Sequence, residues 1–249
     1  MPLIKAFLLP SPLSNREGPG KEDSIENIMA EVVNEIVTIA PEIIIYISTP
    51  ASAKPSEIEI FSEDQKPPDV QQKIVEFINK SYQNYQAFYV ETSQADAKTH
   101  YSFGQDLAAE YQGDARKIVI IGSGDLAHNI NEYSKLPPQP EGQMYDNTIT
   151  TTLTYSDYRI LLMTSDALRK NAGEIGFQSI VIIAGYLDSH KVISKILKYD
   201  NSTGVGRIVA EIEPGEYDGA RNFLTRTSAI YEENRRRIEK GGHDHHHHH

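Results

Sequence analysis

Apolar runs bounded by proline, glycine and polar clusters alternate along the chain with stretches of helical period. Residues 3–9 are apolar apart from Lys5 and meet Pro10-Ser11-Pro12, which predicts a buried strand opening into an irregular loop up to Gly20. Between residues 24 and 40, Ile25, Ile28, Met29, Val32, Val33, Ile36 and Val37 recur at three- and four-residue spacing. They form a stripe on one helix face, with Asp23 or Ser24 as N-cap and Pro41 as the stop. Residues 42–48 (EIIIYIS) then predict a second buried strand, running into Thr49-Pro50-Ala51. A strand, a helix and a second β-branched strand in this order favour a right-handed βαβ unit in a parallel sheet.

The alternation continues with a helix over 70–82, a strand over 87–90, a short helix over 102–111 and the strongest strand over 117–121. Pro137, Pro138 and Pro140 make residues 133–142 a surface loop. Helical periods follow over 144–153 and 157–171, and residues 179–186 (SIVIIAGY) read as a further buried strand. Strands over 192–199 and 205–212 flank the turn signal Asp200-Asn201-Ser202-Thr203-Gly204, a late hairpin. Residues 216–240 read as a terminal helix whose Arg235, Arg236 and Arg237 complement its dipole. The pattern predicts an α/β sandwich in a single domain over 1–240, with a largely parallel central sheet, helices on both faces and a late β-hairpin. Residues 241–249 read as an expression tag.

Composition narrows the chemistry. The chain has no cysteine, which excludes thiolate nucleophiles, disulfide scaffolds, zinc fingers and iron–sulfur clusters. Of its nine histidines, six fall within residues 243–249, leaving His100, His128 and His190. A net charge of −11 would repel a phosphate backbone, so no nucleic-acid partner is expected. The apolar run over 1–10 is too short for a signal peptide. No stretch approaches the roughly 18 apolar residues that span a bilayer, so a cytoplasmic protein without a membrane partner is expected.

The strongest strand is followed by Gly122-Ser123-Gly124-Asp125-Leu126-Ala127, which meets the G-x-G-x-x-A dinucleotide pattern and raises NAD(P) binding as an alternative. That pattern requires an immediate helix and then a strand ending in an acid about 20 residues on. Here the following stretch is Tyr133-Ser134-Lys135-Leu136-Pro137-Pro138, which supplies neither. Ser123 also lacks the G-x-S-x-G elbow of a hydrolase nucleophile.

Extended by one residue, Ser123-Gly124-Asp125-Leu126-Ala127-His128 closely resembles the S-G-D-L-S-H signature of the class III extradiol ring-cleavage dioxygenases, the LigB-like family. Other landmarks are similar in order. Tyr101-Ser102-Phe103-Gly104-Gln105-Asp106-Leu107-Ala108 resembles the family's small helix before the central strand. Tyr145-Asp146 and Gly173-Glu174-Ile175-Gly176-Phe177 resemble the segment ending in an E-C-G-like turn. Ile182-Ile183-Ala184-Gly185-Tyr186 resembles the L-L-G-A strand, and Gly204-Val205-Gly206 the late F-G-V-G. The resemblance runs from about Leu3 to Ile212.

It implies chemistry built on two histidines and one carboxylate holding Fe(II), with open positions for a catecholate and dioxygen. At the position of the family's first histidine, in a P-H-P loop, stands Ser11. At the second, in an S-P-H sequence, stands Pro50. Only Glu174, matching the carboxylate, keeps a ligand-type side chain, so no cofactor is expected, with Fe(II) the cofactor if the family activity persists. His128 matches a histidine that the family uses beside the substrate in acid–base steps. Its plain alternative is a loop histidine fixed by hydrogen bonds, with Asp125 as a local partner. His190 would reach the pocket mouth; the plain reading of both His100 and His190 is a solvent-facing polar residue.

Three functions follow from the resemblance. One is a non-catalytic subunit or a small-molecule or protein-binding member with a degenerate metal site. A second is an active Fe(II)- or zinc-dependent ring-cleavage dioxygenase or hydrolase whose ligands have moved to other positions, with Glu174, His128 and His190 as candidates. The third is a recognition role like that of the Memo-like branch of the same fold. The partners implied are an aromatic or other small-molecule ligand and a homologous or identical subunit.

Overall fold

The computed structural model describes residues 1–12, 24–50, 57–62, 66–225 and 228–243. The expected N-cap Asp23, the bulk of the loop to Gly20, and Ala51 lie outside them. The first half of the chain forms β1 (Leu3–Leu9), α1 (Ser24–Ile39), β2 (Ile43–Ser48), β3 (Glu59–Ser62), α2 (Gln72–Asn79), β4 (Gln86–Glu91), α3 (Ala97–Glu110) and β5 (Ile118–Ser123). Then come α4 (Pro140–Tyr155), α5 (Arg159–Leu162), α6 (Asp166–Ala172) and α7 (Phe177–Tyr186). The chain ends in β6 (His190–Asp200), β7 (Arg207–Tyr217) and α8 (Ser228–His243).

All seven strands lie in one sheet of order β3-β4-β2-β5-β1-β7-β6. Its centre, β4, β2, β5 and β1, is parallel, with Tyr46 of β2 in register with Ile121 and Tyr89 and Phe7 of β1 opposite Ile121. The hairpin β6–β7 adds antiparallel to β1, and β3 adds antiparallel to β4 at the other edge. Four residues of β3 carry too short an alternation to be read from sequence.

Side chains alternate between two cores, as the pleat requires. Phe7, Ile44, Tyr46 and Val119 pack against the stripe of α1 (Ile25, Met29, Val32, Ile36) and against Val75 and Ile78 of α2. Leu8, Ile45, Ile47 and Ile120 face the core formed with α3, α4 and α7. The mixed α/β sandwich with helices on both faces therefore follows from the two sets of apolar positions.

The expected strand over 179–186 is helix α7, and all ten of its residues are buried. A helix enclosed on every side is apolar on every side, so the 3.6-residue period vanishes and β-branched residues mimic a buried strand. Its close contact with α3 needs glycine: a Cβ on Gly185 would stand 2.0 Å from the Tyr101 carbonyl oxygen, and one on Gly104 2.1 Å from that of Ile182. Other boundaries shift. α3 begins five residues before the expected start, at Ala97, capped by Asp96 accepting from Thr99 N. The period over 157–171 is two helices, because Ser165 caps a new one by accepting from Leu168 N. Pro140 sits in the first turn of α4, where its missing N–H is harmless. The helix expected from 216 begins at Ser228, after β7 has run on to Tyr217. Arg235 and Arg237 pair with Glu239 (3.0 Å) and Glu233 (2.7 Å) one turn away along α8. No helix among the described residues is long and apolar enough to cross a membrane.

Candidate functional site

Parallel pairing brings the carboxyl ends of β1, β2, β4 and β5 to one edge of the sheet, where ligand crevices of open α/β sheets form. The loops leaving β1, β2 and β5, together with the turn between α6 and α7 and the turn between β6 and β7, line a cavity of about 560 Å³. Ser11, Pro50, Asp125, His128 and Glu174 all line it, with Arg207 of β7. Ser11 and Arg207, 196 positions apart in the chain, are thus brought together. His190 is not among them: it opens β6, its Nδ1 meets the Asp188 carbonyl at 3.0 Å, and its ring stands edge-on to Tyr217.

Asp125 is committed to Ser11. Its Oδ2 accepts from Ser11 Oγ (2.8 Å) and from Ser11 N (3.2 Å), and buried Arg207 donates Nη2 to the Ser11 carbonyl at 3.1 Å. Asp125 is therefore the partner of the β1 loop and not of His128. The His128 main-chain N–H donates to the Ala172 carbonyl (3.1 Å), and its buried ring Nδ1 has no hydrogen-bond partner. The loop before it is pinned twice. Leu126 N and Ala127 O bond the main chain of Gly206 at 2.7 and 2.9 Å, and Ala127 N donates to Asp146 Oδ1 at 3.0 Å. Burial pushes the Asp146 carboxyl up to about 6, against the Tyr199 hydroxyl and Ala127 N–H that favour its charged form. A Cβ at Gly206 would collide with Asp146 Oδ2 at 1.8 Å, which explains the glycine of the late Gly204-Val205-Gly206 motif.

Glu174 is the most heavily engaged acid of the site. Its Oε1 accepts from Arg169 Nε and Nη2 at 3.1 and 3.0 Å, and its Oε2 from Phe177 N at 2.9 Å and Tyr145 Oη at 3.5 Å. The carboxylate side chain is 8% exposed, and the Arg169 guanidinium lies over the Phe177 ring, 4.1 Å from its centroid. The carboxylate thus sits at the amino end of α7 beside a fixed guanidinium, in charge-assisted hydrogen bonds.

The family model described as the catalytic LigB subunit of aromatic ring-opening dioxygenase matches residues 75–210, more than half of the chain. The chain belongs to the LigB family. Protein CA_C1420 of Clostridium acetobutylicum is 28% identical over 137 residues, 55% of this chain but 29% of that protein, so the match spans under a third of the relative's length. The crystal structure of the uncharacterized protein JW3007 from Escherichia coli K12 superposes with a TM-score of 0.53 over 84% of this chain and 99% of that one. At 13% identity it shows a shared fold.

The donors of this LigB cleft do not fit an iron centre of two histidines and one carboxylate. The Ser11 hydroxyl is donated to Asp125, the Pro50 side chain has no donor atom, and both Glu174 oxygens already hold N–H groups. Among the described residues no three His, Asp or Glu side chains gather as a metal site. A dinucleotide fares no better, since the chain from Gly124 to Gln139 contains no helix to present its amino end to a pyrophosphate. Gly124 instead packs where a Cβ would lie 2.1 Å from the Ile208 carbonyl oxygen.

A second lobe of about 680 Å³ adjoins the first across a wall shared by Thr49, Pro50, Glu174 and Ile175. The Thr49 hydroxyl donates to the Ile175 carbonyl across this wall. The far side of the lobe is the β4–α3 loop, and His100 supports that loop from below. Expected at the surface, His100 is fully buried. Its Nε2 accepts from Ser93 N at 3.1 Å and its Nδ1 donates to the Asp96 carbonyl at 2.9 Å, an arrangement open only to the neutral ring. Burial lowers its pKa to about 4. Arg169, His100 and Gln178 were not readable as site residues because none belongs to a spaced motif, and Asp146, although part of the Tyr145-Asp146 landmark, acts through Ala127 and Tyr199, partners 19 and 53 positions away.

Proposed function

We propose that this LigB-family chain is a non-catalytic, small-molecule-binding member whose cleft works without iron. The observation that carries the proposal is the Glu174–Arg169 pair: a guanidinium 3.0 Å away occupies the one ligand-type side chain that the resemblance leaves at the site. Ser11 and Pro50 at the two histidine positions support the same reading. The cleft persists as a binding site because its lining mixes apolar side chains such as Val205 and Ile175 with a few convergent polar ones, the usual make-up of a ligand pocket. In this reading His128 orients a ligand by hydrogen bonding, and its unpartnered Nδ1 is the group available for that.

The test is oxygen uptake after anaerobic incubation with Fe(II), using catechols and aminophenols as substrates. The expected result is uptake no faster than Fe(II) in buffer. Ring-cleavage product that scales with protein concentration would overturn the proposal in favour of an active dioxygenase with relocated ligands.

A further inference from the structure

The second lobe owes nothing to Ser11, Asp125 or His128, and its wall has a chemistry of its own. At about 680 Å³ it has the size of small-molecule sites. Gln178, 5% exposed, lines it. Its Nε2 donates to the Ala95 carbonyl at 3.2 Å, which fixes the orientation of the amide and leaves Oε1, an acceptor, with no partner. A buried acceptor in that state is unfavourable until a donor reaches it. The nearby hydroxyl protons are already used, since Thr92 Oγ1 donates to Thr49 Oγ1 at 3.1 Å and Thr49 donates to Ile175 O. Thr92 is thereby left with lone pairs only, a second acceptor in the same wall. α6 lines the lobe as well: there Arg169 is held by Glu174 and Asp166, whereas Lys170 beside it has no ion-pair partner among the described residues.

The lobe therefore combines acceptors short of a donor, at Gln178 and Thr92, with a cation that has no ion-pair partner among the described residues, at Lys170. We infer that it binds a small hydroxy- or amino-carboxylate, with its carboxylate on Lys170 and its hydroxyl or amino group donating to Gln178 Oε1 and Thr92 Oγ1. A charge-assisted contact on a flexible lysine sets affinity, and the fixed amide selects for the donor.

Three matched probes separate the elements of this inference: glycerate carries both features, butanoate the carboxylate without a donor, and glycerol the donors without a charge. Titration of the full chain by calorimetry, with amide NMR shifts to locate binding, should show glycerate binding at residues 92–95 and 170–178. Butanoate and glycerol should each bind about tenfold more weakly, the ratio one such contact supplies. Lys170→Ala, at an exposed position, should weaken glycerate about tenfold and leave glycerol unchanged. Gln178→Leu should bring glycerate to the level of butanoate. No saturable glycerate binding up to about 10 mM, equal affinity for all three probes, or glycerate affinity unchanged in Lys170→Ala would each overturn the inference. Iron bound in the first lobe would leave these titrations unaltered, so the two readings fail separately.

Discussion

Two buried titratable side chains near the cleft, His100 and Asp146, give opposite pH signatures. His100 has a folded pKa of about 4 against 6.5 for the free group, so the unfolded chain binds the proton first. Its contribution to stability is lost as pH falls from 6.5 towards 4. Asp146, pushed up to about 6 from 3.8, binds its proton first in the folded state, and its contribution is lost as pH rises through that window. Each is worth at most about 3 kcal/mol, so the wild-type protein should show a shallow slope between them. His100→Gln should make stability fall with rising pH between about 4 and 6, and Asp146→Asn should make it rise, with urea denaturation as a function of pH as the measurement. Parallel slopes in the two variants would contradict these environments. Arg169→Met should destabilise by about 3 kcal/mol, read from the same curves, because it strands a buried carboxylate. None of these three residues carries a sequence signal for its role. A histidine in a polar helix turn reads as exposed, and only the fold places it beneath Ser93.

The helix with one wet face and the short buried strands were legible in the sequence, and the helix buried on all sides was not. The stripe of α1 keeps its helical period, and the short apolar, β-branched runs of β1, β2 and β5 end at turn residues, so all four fall where the pattern puts them. The run over 179–186 lost that period by being enclosed, and it was read as a strand when it is α7. Its glycine offers a direct check. Gly185→Ala would place a Cβ 2.0 Å from a main-chain oxygen of α3, which no rotamer relieves, so the backbones must separate. A loss of about 3 kcal/mol or more is expected by thermal denaturation. A change under about 0.5 kcal/mol would mean that α3 and α7 do not cross at these glycines.

At the scale of the whole molecule, the order of strands and the loops that leave them decide the function. Motif order along the chain was enough to bring Ser11, Pro50, Asp125, His128 and Glu174 to one cavity, because a parallel sheet aligns its carboxyl ends. What spacing could not reveal is how the acid that remains is used. Glu174 is a ligand-type residue in the motif, and in the fold it is an ion-pair partner and a brace for α7. The second lobe was equally hidden, since its wall comes from the β4–α3 loop and α6, segments without a recognisable motif. The most direct measurement is metal content after anaerobic loading with Fe(II) and removal of excess by gel filtration. A cleft whose carboxylate is already neutralised by Arg169 should retain well under 0.1 iron per chain, roughly the level of weak surface binding. Iron near one per chain, released on Glu174→Ala, would contradict it.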